Sequence, residues 1–494
     1  MFVALLPIFG ATQIQGDLNS NAVFGNGVTV RDVPSIAENY TQMSCNTTSA
    51  TRTGGTLYVT SHSNPSKWTQ IVDLGDAVWR GYGETFHKPH MVIPSPNDKY
   101  VAITNTASNS VLIMDASTHT TLDYVKVPTS GSSIHSAMWK LFSDGTLALI
   151  LVDMTGKLQT AAGGGGLHMY HVSNEGKAIA VTTLSIPVAF SLPSTSTKPI
   201  DAGSPSVGNH IIITDAKSGG LFIVQMTQTS LTPVTRVPPS DLGNCATGGG
   251  LWVKSIPNRP HHTIAVFGKQ AHNMSCLIEF DTYNERLERV INLPYASIDA
   301  HGLDYCSAPD GALYVIVSSR VSATVDVINY TTGSVIASHD LNAVLTPASS
   351  TCGDTGKFIM PDVLRIVDKR VYQTTRGPIP ISAVSMDNAF PNASPGLYTY
   401  TLSETCDTIH RTATDVAIAS VTDWTVAAAS DPHGGDVVGS EYWLIDQSPS
   451  GAVMDCNGQS TYVSKLTMVQ NDVSAYDTPF SCDSNNGGGT NDGM

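Results

Sequence analysis

Charge is scarce in this chain. Asp, Glu, Lys and Arg make up 14% of its 494 residues, against roughly 25% in an average soluble domain. That argues against long exposed helices, whose solvent faces are built from Glu, Lys and Arg. The 26 basic residues form no run and are outnumbered by 41 acidic ones, for a net charge of −15. A chain of this sign repels phosphate backbones, so no nucleic-acid partner is expected. No stretch approaches the roughly 18 apolar residues of a membrane-spanning helix. None of the eight cysteines sits in a C-x-x-C pair, which leaves out zinc ribbons and thioredoxin-type motifs. G-x-S-x-G and H-E-x-x-H are missing too, so a serine-hydrolase elbow and a zincin helix have no support. The glycine clusters at 163–166 and 248–250 continue into neither phosphate-binding pattern. They read as loop or close-packing glycine.

Polarity comes instead from Ser, Thr, Asn and Gly, and 41% of residues are hydrophobic. Apolar runs are short, rich in β-branched residues, and bounded by Gly, Pro, Asn, Asp and Ser, the pattern of strands and turns. Residues 88–127 hold four such runs: "HMVIPS", a turn at Pro96-Asn97-Asp98, "KYVAIT", "SVLIMD" and "LDYVKV". Residues 301–341 repeat this grammar with "HGLDYCS", "ALYVIVS", "TVDVINY" and "VIASHDL". Other copies start near 135, 200, 250, 360 and 433, the last read as "EYWLIDQ", "GAVMDC" and "YVSKLTMV". Steps of about 40–70 residues are blade-sized. A lone four-stranded sheet has open faces and edges, and radial repetition buries the faces. The predicted fold class is therefore all-β, a β-propeller of seven four-stranded blades. The fragment at 55–74 would make an eighth blade or supply strands that close the ring.

The repeats "PSPNDKYVAI…VLIMDAST" and "SAPDGALYVIV…VDVINYTTGS" resemble those of the YVTN-type propeller superfamily. The resemblance covers most of 85–470 and is strong in two blades. It implies the fold. It implies no single activity, because that superfamily includes lactonases, lyases, metal and haem reductases, and non-catalytic binding proteins.

Four histidines, His90, His135, His301 and His433, occupy the same station, the start of a blade's first strand. In a propeller these starts face one mouth of the central channel. Four imidazoles meeting there would make a transition-metal site for Fe, Cu or Zn. His87 is a candidate fifth ligand. "DAHGLD" at 299–304 and "DPHGGD" at 431–436 set aspartates on both sides of a histidine and a glycine after it. Asp299, Asp304, Asp431 or Asp436 would orient a bound imidazole through its other N–H, and the glycine would let backbone approach closely. Glu84 and Asp201 are further candidates. The competing reading is that these histidines only hydrogen-bond to the neighbouring blade. His261 and His262 are expected in the turn after a first strand. His119, His339 and His410 belong near outer strands, and His168, His171, His210 and His272 share no station. Trp252 and Trp79 read as core aromatics near loops.

Residues 1–16 resemble a secretory signal without its positive n-region. Residues 17–84 would add a blade or closing strands, 85–475 form the propeller, and 476–494 are a Gly/Asn-rich tail. Sequons at Asn39, Asn46, Asn273, Asn329 and Asn392 and an even cysteine count point to a secreted, disulfide-bonded glycoprotein. Two functions are in competition. One is a secreted enzyme using a histidine-bound metal for oxidoreductase, lyase or lactonase chemistry. The other is a non-catalytic extracellular propeller that presents its loops to a small molecule, glycan or protein.

Overall fold

The computed structural model describes residues 56–61, 64–73, 89–158, 163–268, 275–341, 360–375, 396–411, 432–446, 452–454 and 460–462, apart from 107–108, 130, 195, 248 and 295. Among the described residues, apart from short helical turns such as Ile186–Ala189 and Pro239–Thr247, the regular structure is all strand. The expected residues His87 and Glu84, Trp79, His272, Asp431, the signal and tail segments, four of the sequons, and Cys45, Cys352, Cys456 and Cys482 lie outside the described residues.

Among the described residues the chain divides into two compact units. One takes residues up to 199 together with 226–232 and those beyond 419; the other takes 200–225 and 233–411. In the first unit, β1 (Thr56–Ser61) and β2 (Asn64–Asp73) form a hairpin. A first blade follows: β3 (Pro89–Pro94), β4 (Tyr100–Asn105), β5 (Ser110–Asp115) and β6 (Thr121–Lys126). The second is β7 (Ile134–Leu141), β8 (Leu147–Asp153), β9 (Gly166–Val172) and β10 (Ala178–Ser185). The third blade is β11 (Pro199–Gly203), β12 (His210–Asp215), β13 (Leu221–Met226) and β14 (Leu231–Val237). The second unit continues with β15 (Gly249–Ile256), β16 (Arg259–Gly268), β17 (Cys276–Asp281) and β18 (Arg286–Asn292). Next come β19 (Ala300–Ser307), β20 (Leu313–Ser319), β21 (Thr324–Asn329) and β22 (Val335–Asp340), then β23 (Pro361–Val367), β24 (Arg370–Thr375), β25 (Gly396–Leu402) and β26 (Ile409–Arg411). Back in the first unit lie β27 (Pro432–Val438), β28 (Glu441–Asp446) and a two-stranded pair, β29 (Ala452–Met454) and β30 (Ser460–Tyr462).

The strand order is that of propeller blades. Six four-stranded antiparallel sheets are each built from four consecutive strands, β3–β6 through β23–β26. A further four-stranded sheet is composite and runs β2-β1-β28-β27. The expectation of seven, or eight, blades is corrected: the described residues form six blades, each from four consecutive strands. The 55–74 fragment is not a blade of its own, and "GAVMDC" does not continue the last one. The ladder beside β28 is already taken by β1, in the register Leu57↔Ile445 and Val59↔Trp443, so 452–454 pairs instead with 460–462.

Position in the blade explains the residue patterns. Second and third strands are covered on both faces and read as nearly unbroken apolar runs, as in "LALILVD" and "CLIEFD". Fourth strands lie at sheet edges and alternate or turn polar, as in "VIASHD" and "RLERVIN". Neighbouring sheets share cores. Val92, Ile103, Leu112, Val438 and Trp443 join the first blade to the composite sheet. Ala102, Ile113, Ile134, Trp139 and Leu149 join the first blade to the second. In the second unit, Ile316, Val327, Leu364, Val371 and Tyr400 do the same for the last two blades. Two cysteine pairs lie at disulfide distance there, Cys245–Cys276 and Cys306–Cys406, with Cα atoms 6.0 and 6.1 Å apart.

Candidate metal site

The first strand of a blade has a recurrent irregularity at its start. Ladder register shifts between Pro89 and Val92, Ile134 and Ser136, Gly250 and Val253, Ala300 and Gly302, Pro361 and Leu364, and Pro432 and Gly435. Each shift is a bulge, which takes a residue out of regular pairing and re-aims its side chain. The bulges contain His90, His135, His301, Asp362 and His433. Three of these follow a proline that opens the strand, Pro89, Pro361 and Pro432. Proline lacks the N–H that a ladder needs and fits a strand's first position.

Three of the expected histidines come together in the first unit. The His90 ring lies 4.0 Å from the His135 ring and 3.9 Å from that of His433, centre to centre. His135 and His433 are 6.5 Å apart and edge-on. One ring nitrogen from each of the three falls within 4.8 Å of those of the others. His90 and His433 are buried and His135 is partly exposed. The three come from β3, β7 and β27, thus from three different sheets. Such a set of imidazole nitrogens suits Zn, Cu or Fe and is poorly matched to Mg or Ca, which take oxygen ligands.

Second strands brace the bulges. Thr104 of β4 accepts the Met91 N–H at 3.2 Å and donates to the His135 carbonyl at 2.9 Å. His90 Nδ1 bonds the same carbonyl at 2.9 Å. Gly434 brings β27 against β3: a Cβ there would lie 2.1 Å from the His90 carbonyl oxygen. The glycine after histidine in "DPHGGD" thus lets a neighbouring blade's backbone come close. Gly302 in "DAHGLD" does the same toward the Asp362 carbonyl, at 2.4 Å.

His301 belongs to the second unit, where its Nε2 meets Asp362 Oδ1 at 2.6 Å. Trp252 of β15 presents an edge-on contact 6.1 Å from the His301 ring. Burial pushes the His301 imidazole below its ordinary value, the Arg320 guanidinium adds to this, and the Asp362 carboxylate opposes it. The two aspartates that flank His301 are engaged elsewhere, unlike the expectation that they orient it. Asp299 pairs with Arg320 at 2.8 Å. Asp304 pairs with Lys254 at 2.8 Å and accepts the Ile366 N–H. Side chains alternate along a strand, so a neighbour two or three residues away points elsewhere. Asp436 accepts the Val437 N–H. Asp201 accepts the Val253 N–H from the next blade at 2.9 Å.

Asp362 does not stand out in the sequence alone. Its signal is the dipeptide Pro361-Asp362, which matches Pro89-His90 and Pro432-His433 at the same station. His262 lies in β16 and pairs with the buried Glu279 at 2.9 Å, which corrects its expected place in a turn. His168 pairs with buried Asp153 at 3.1 Å.

No protein-family model and no curated protein matches the chain. Solved structures that resemble it include a putative 6-phosphogluconolactonase from Bacteroides uniformis, 14% identical over 74% of this chain and 96% of that one, with a TM-score of 0.47. A streptogramin B lyase is 13% identical over 79% of this chain and 97% of its own, at 0.44. A β-propeller domain of Cps50 (Swd1) from Myceliophteria thermophila is 9% identical over 72% and 96%, at 0.43.

Proposed function

We propose that the protein is a secreted propeller that binds one transition-metal ion of the Fe, Cu or Zn class through His90, His135 and His433 and uses it in catalysis on a small molecule. One observation carries the reading: three imidazole nitrogens from three separate sheets within 4.8 Å of one another. Three protein ligands leave a position for water or substrate, the arrangement of catalytic rather than structural zinc. When bound there, such an ion polarises a carbonyl, activates water or takes part in redox chemistry, which covers lactonase, lyase and oxidoreductase types. The partly exposed His135 sets the side from which a substrate approaches. His90 Nδ1, held by a carbonyl, is oriented as a ligating imidazole commonly is. Secretion draws support from the two cysteine pairs.

The same bond favours a second reading. His90 ties its blade to the next through the His135 carbonyl, which is what a structural histidine in a non-catalytic binding propeller would do. Metal content separates the two. Purified without a histidine tag, the chain is expected to carry about one equivalent of metal, lost in a His90→Ala, His433→Ala double variant that keeps its β-sheet circular dichroism. No bound metal and no thermal shift on adding Zn, Cu or Fe(II) would leave the binding propeller standing.

A further inference from the structure

We propose that Thr104 is the positioning residue of the histidine cluster, holding His90 and His135 in a single hydrogen-bonded unit. This rests on the three-histidine reading above. The bulge that turns His90 out of the β3 ladder also removes the Met91 N–H from regular pairing, and that N–H donates to Thr104 Oγ1 at 3.2 Å. The Thr104 hydroxyl in turn donates to the His135 carbonyl at 2.9 Å. That carbonyl oxygen has two lone pairs and receives His90 Nδ1 as its second donor at 2.9 Å. A carbonyl has no hydrogen to give, so Nδ1 carries the proton. In the neutral ring the lone pair is then on Nε2. Thr104 therefore fixes the backbone oxygen that selects which His90 nitrogen ligates, and ties it to the strand that carries His135.

The device recurs, but with other consequences. Thr214 accepts the Asp201 N–H and donates to the Leu251 carbonyl at 2.6 Å, and Ser318 donates to the Asp362 carbonyl at 3.0 Å. A hydroxyl on the second strand is thus part of the scaffold. At Thr104 the oxygen it holds belongs to one histidine and accepts from another. Thr214 lies in the other unit and bonds to Asp201 and Leu251 of that unit, which makes it the internal control.

The test compares the full-length chain with Thr104→Val, Thr104→Ser and Thr214→Val. Valine keeps the branched shape and removes the hydroxyl. Zn(II) affinity is measured by competition with a chromophoric chelator, and Co(II) serves as a spectroscopic probe of ligand geometry. Thr104→Val is expected to weaken Zn(II) binding about 10- to 100-fold, the usual effect of removing an outer-sphere partner, and to shift the Co(II) bands. Thr104→Ser is expected to restore both. Thr214→Val is expected to lower stability while leaving both unchanged. An unaltered Co(II) spectrum and Zn(II) affinity in Thr104→Val, or an equal loss of affinity in Thr214→Val, would overturn the proposal. If the parent chain binds no metal, the reading of function fails on its own. The positioning claim is then decided on the metal-free protein, by the imidazole 15N shifts of His90. They are expected to report the Nδ1–H form in the parent and a mixture in Thr104→Val, and identical shifts overturn it.

Discussion

Gly434 sets how near β27 can lie to β3, and with it the spacing of His433 and His90. A methyl group there would meet backbone, the His90 carbonyl oxygen at 2.1 Å and the Met91 Cα at 2.6 Å, and backbone cannot rotate away as a side-chain tip can. Gly434→Ala is expected to force the strands apart at a cost of about 1–3 kcal/mol, the usual penalty of overpacking. The measurement is a lower urea midpoint with unchanged slope, accompanied by weaker metal binding. An unchanged midpoint would show that the strands have room to give. The sequence pattern alone marks this glycine as a site of close approach. It does not name the group approached, because His90 lies more than 300 residues away along the chain and only the packing of two sheets joins them. The flanking aspartates illustrate the opposite failure. Asp299 and Asp304 are near His301 in sequence, yet they face Arg320 and Lys254, because alternation along a strand separates neighbours in space.

At the scale of strands and turns, carboxylates close the blades. Asp115, at the end of β5, accepts bonds from the Ser117 hydroxyl and from the Ser117 and Thr118 N–H groups. Chiefly the Ser117 hydroxyl, with the Thr118 N–H next, holds its carboxyl at about 2, down from an ordinary 3.8. A depressed carboxyl stabilises the fold above its unfolded value and loses that contribution as pH falls through the folded one. Asp115→Asn is therefore expected to be less stable than the parent at pH 7, and the gap is expected to close between about pH 4 and pH 2. Denaturant midpoints at several pH values check this, and a gap that stays constant with pH would contradict it. Asp153, Asp215 and Asp281 make comparable bonds to the turns that follow their strands. Elements of this kind are legible in the sequence. The first strands begin at Pro89, Ile134, Pro199, Gly249, Ala300, Pro361 and Pro432, within two residues of where turn residues and apolar runs place them. The reason is local: a turn's chemistry and a strand's alternation are written in adjacent residues.

At the scale of the chain, the composite sheet ties residues 56–73 to 432–446. His433 stands on β27, whose partner β28 has its other edge covered by β1. Deleting residues 1–74 is expected to leave that edge open. The first-unit core around Trp443 and Val438 is then expected to unfold earlier, with the metal affinity proposed for the histidine cluster lost in parallel. Hydrogen exchange in β27 and β28 and a second, lower thermal transition would report it. Full protection of β28 in the truncated chain would contradict it.

The residues themselves determined the class of fold, the places where first strands begin, and four histidines at one station, because each depends on patterns a few residues long. Tertiary structure decided the rest. It gave β28 a partner from the other end of the chain, placed Asp362 beside His301, brought ring nitrogens of His90, His135 and His433 within 4.8 Å of one another, and gave Thr104 its task. Those outcomes depend on which sheet packs on which, and packing between distant segments is settled by shape and by the pairing of buried polar groups, which leave no mark at fixed spacing along a sequence.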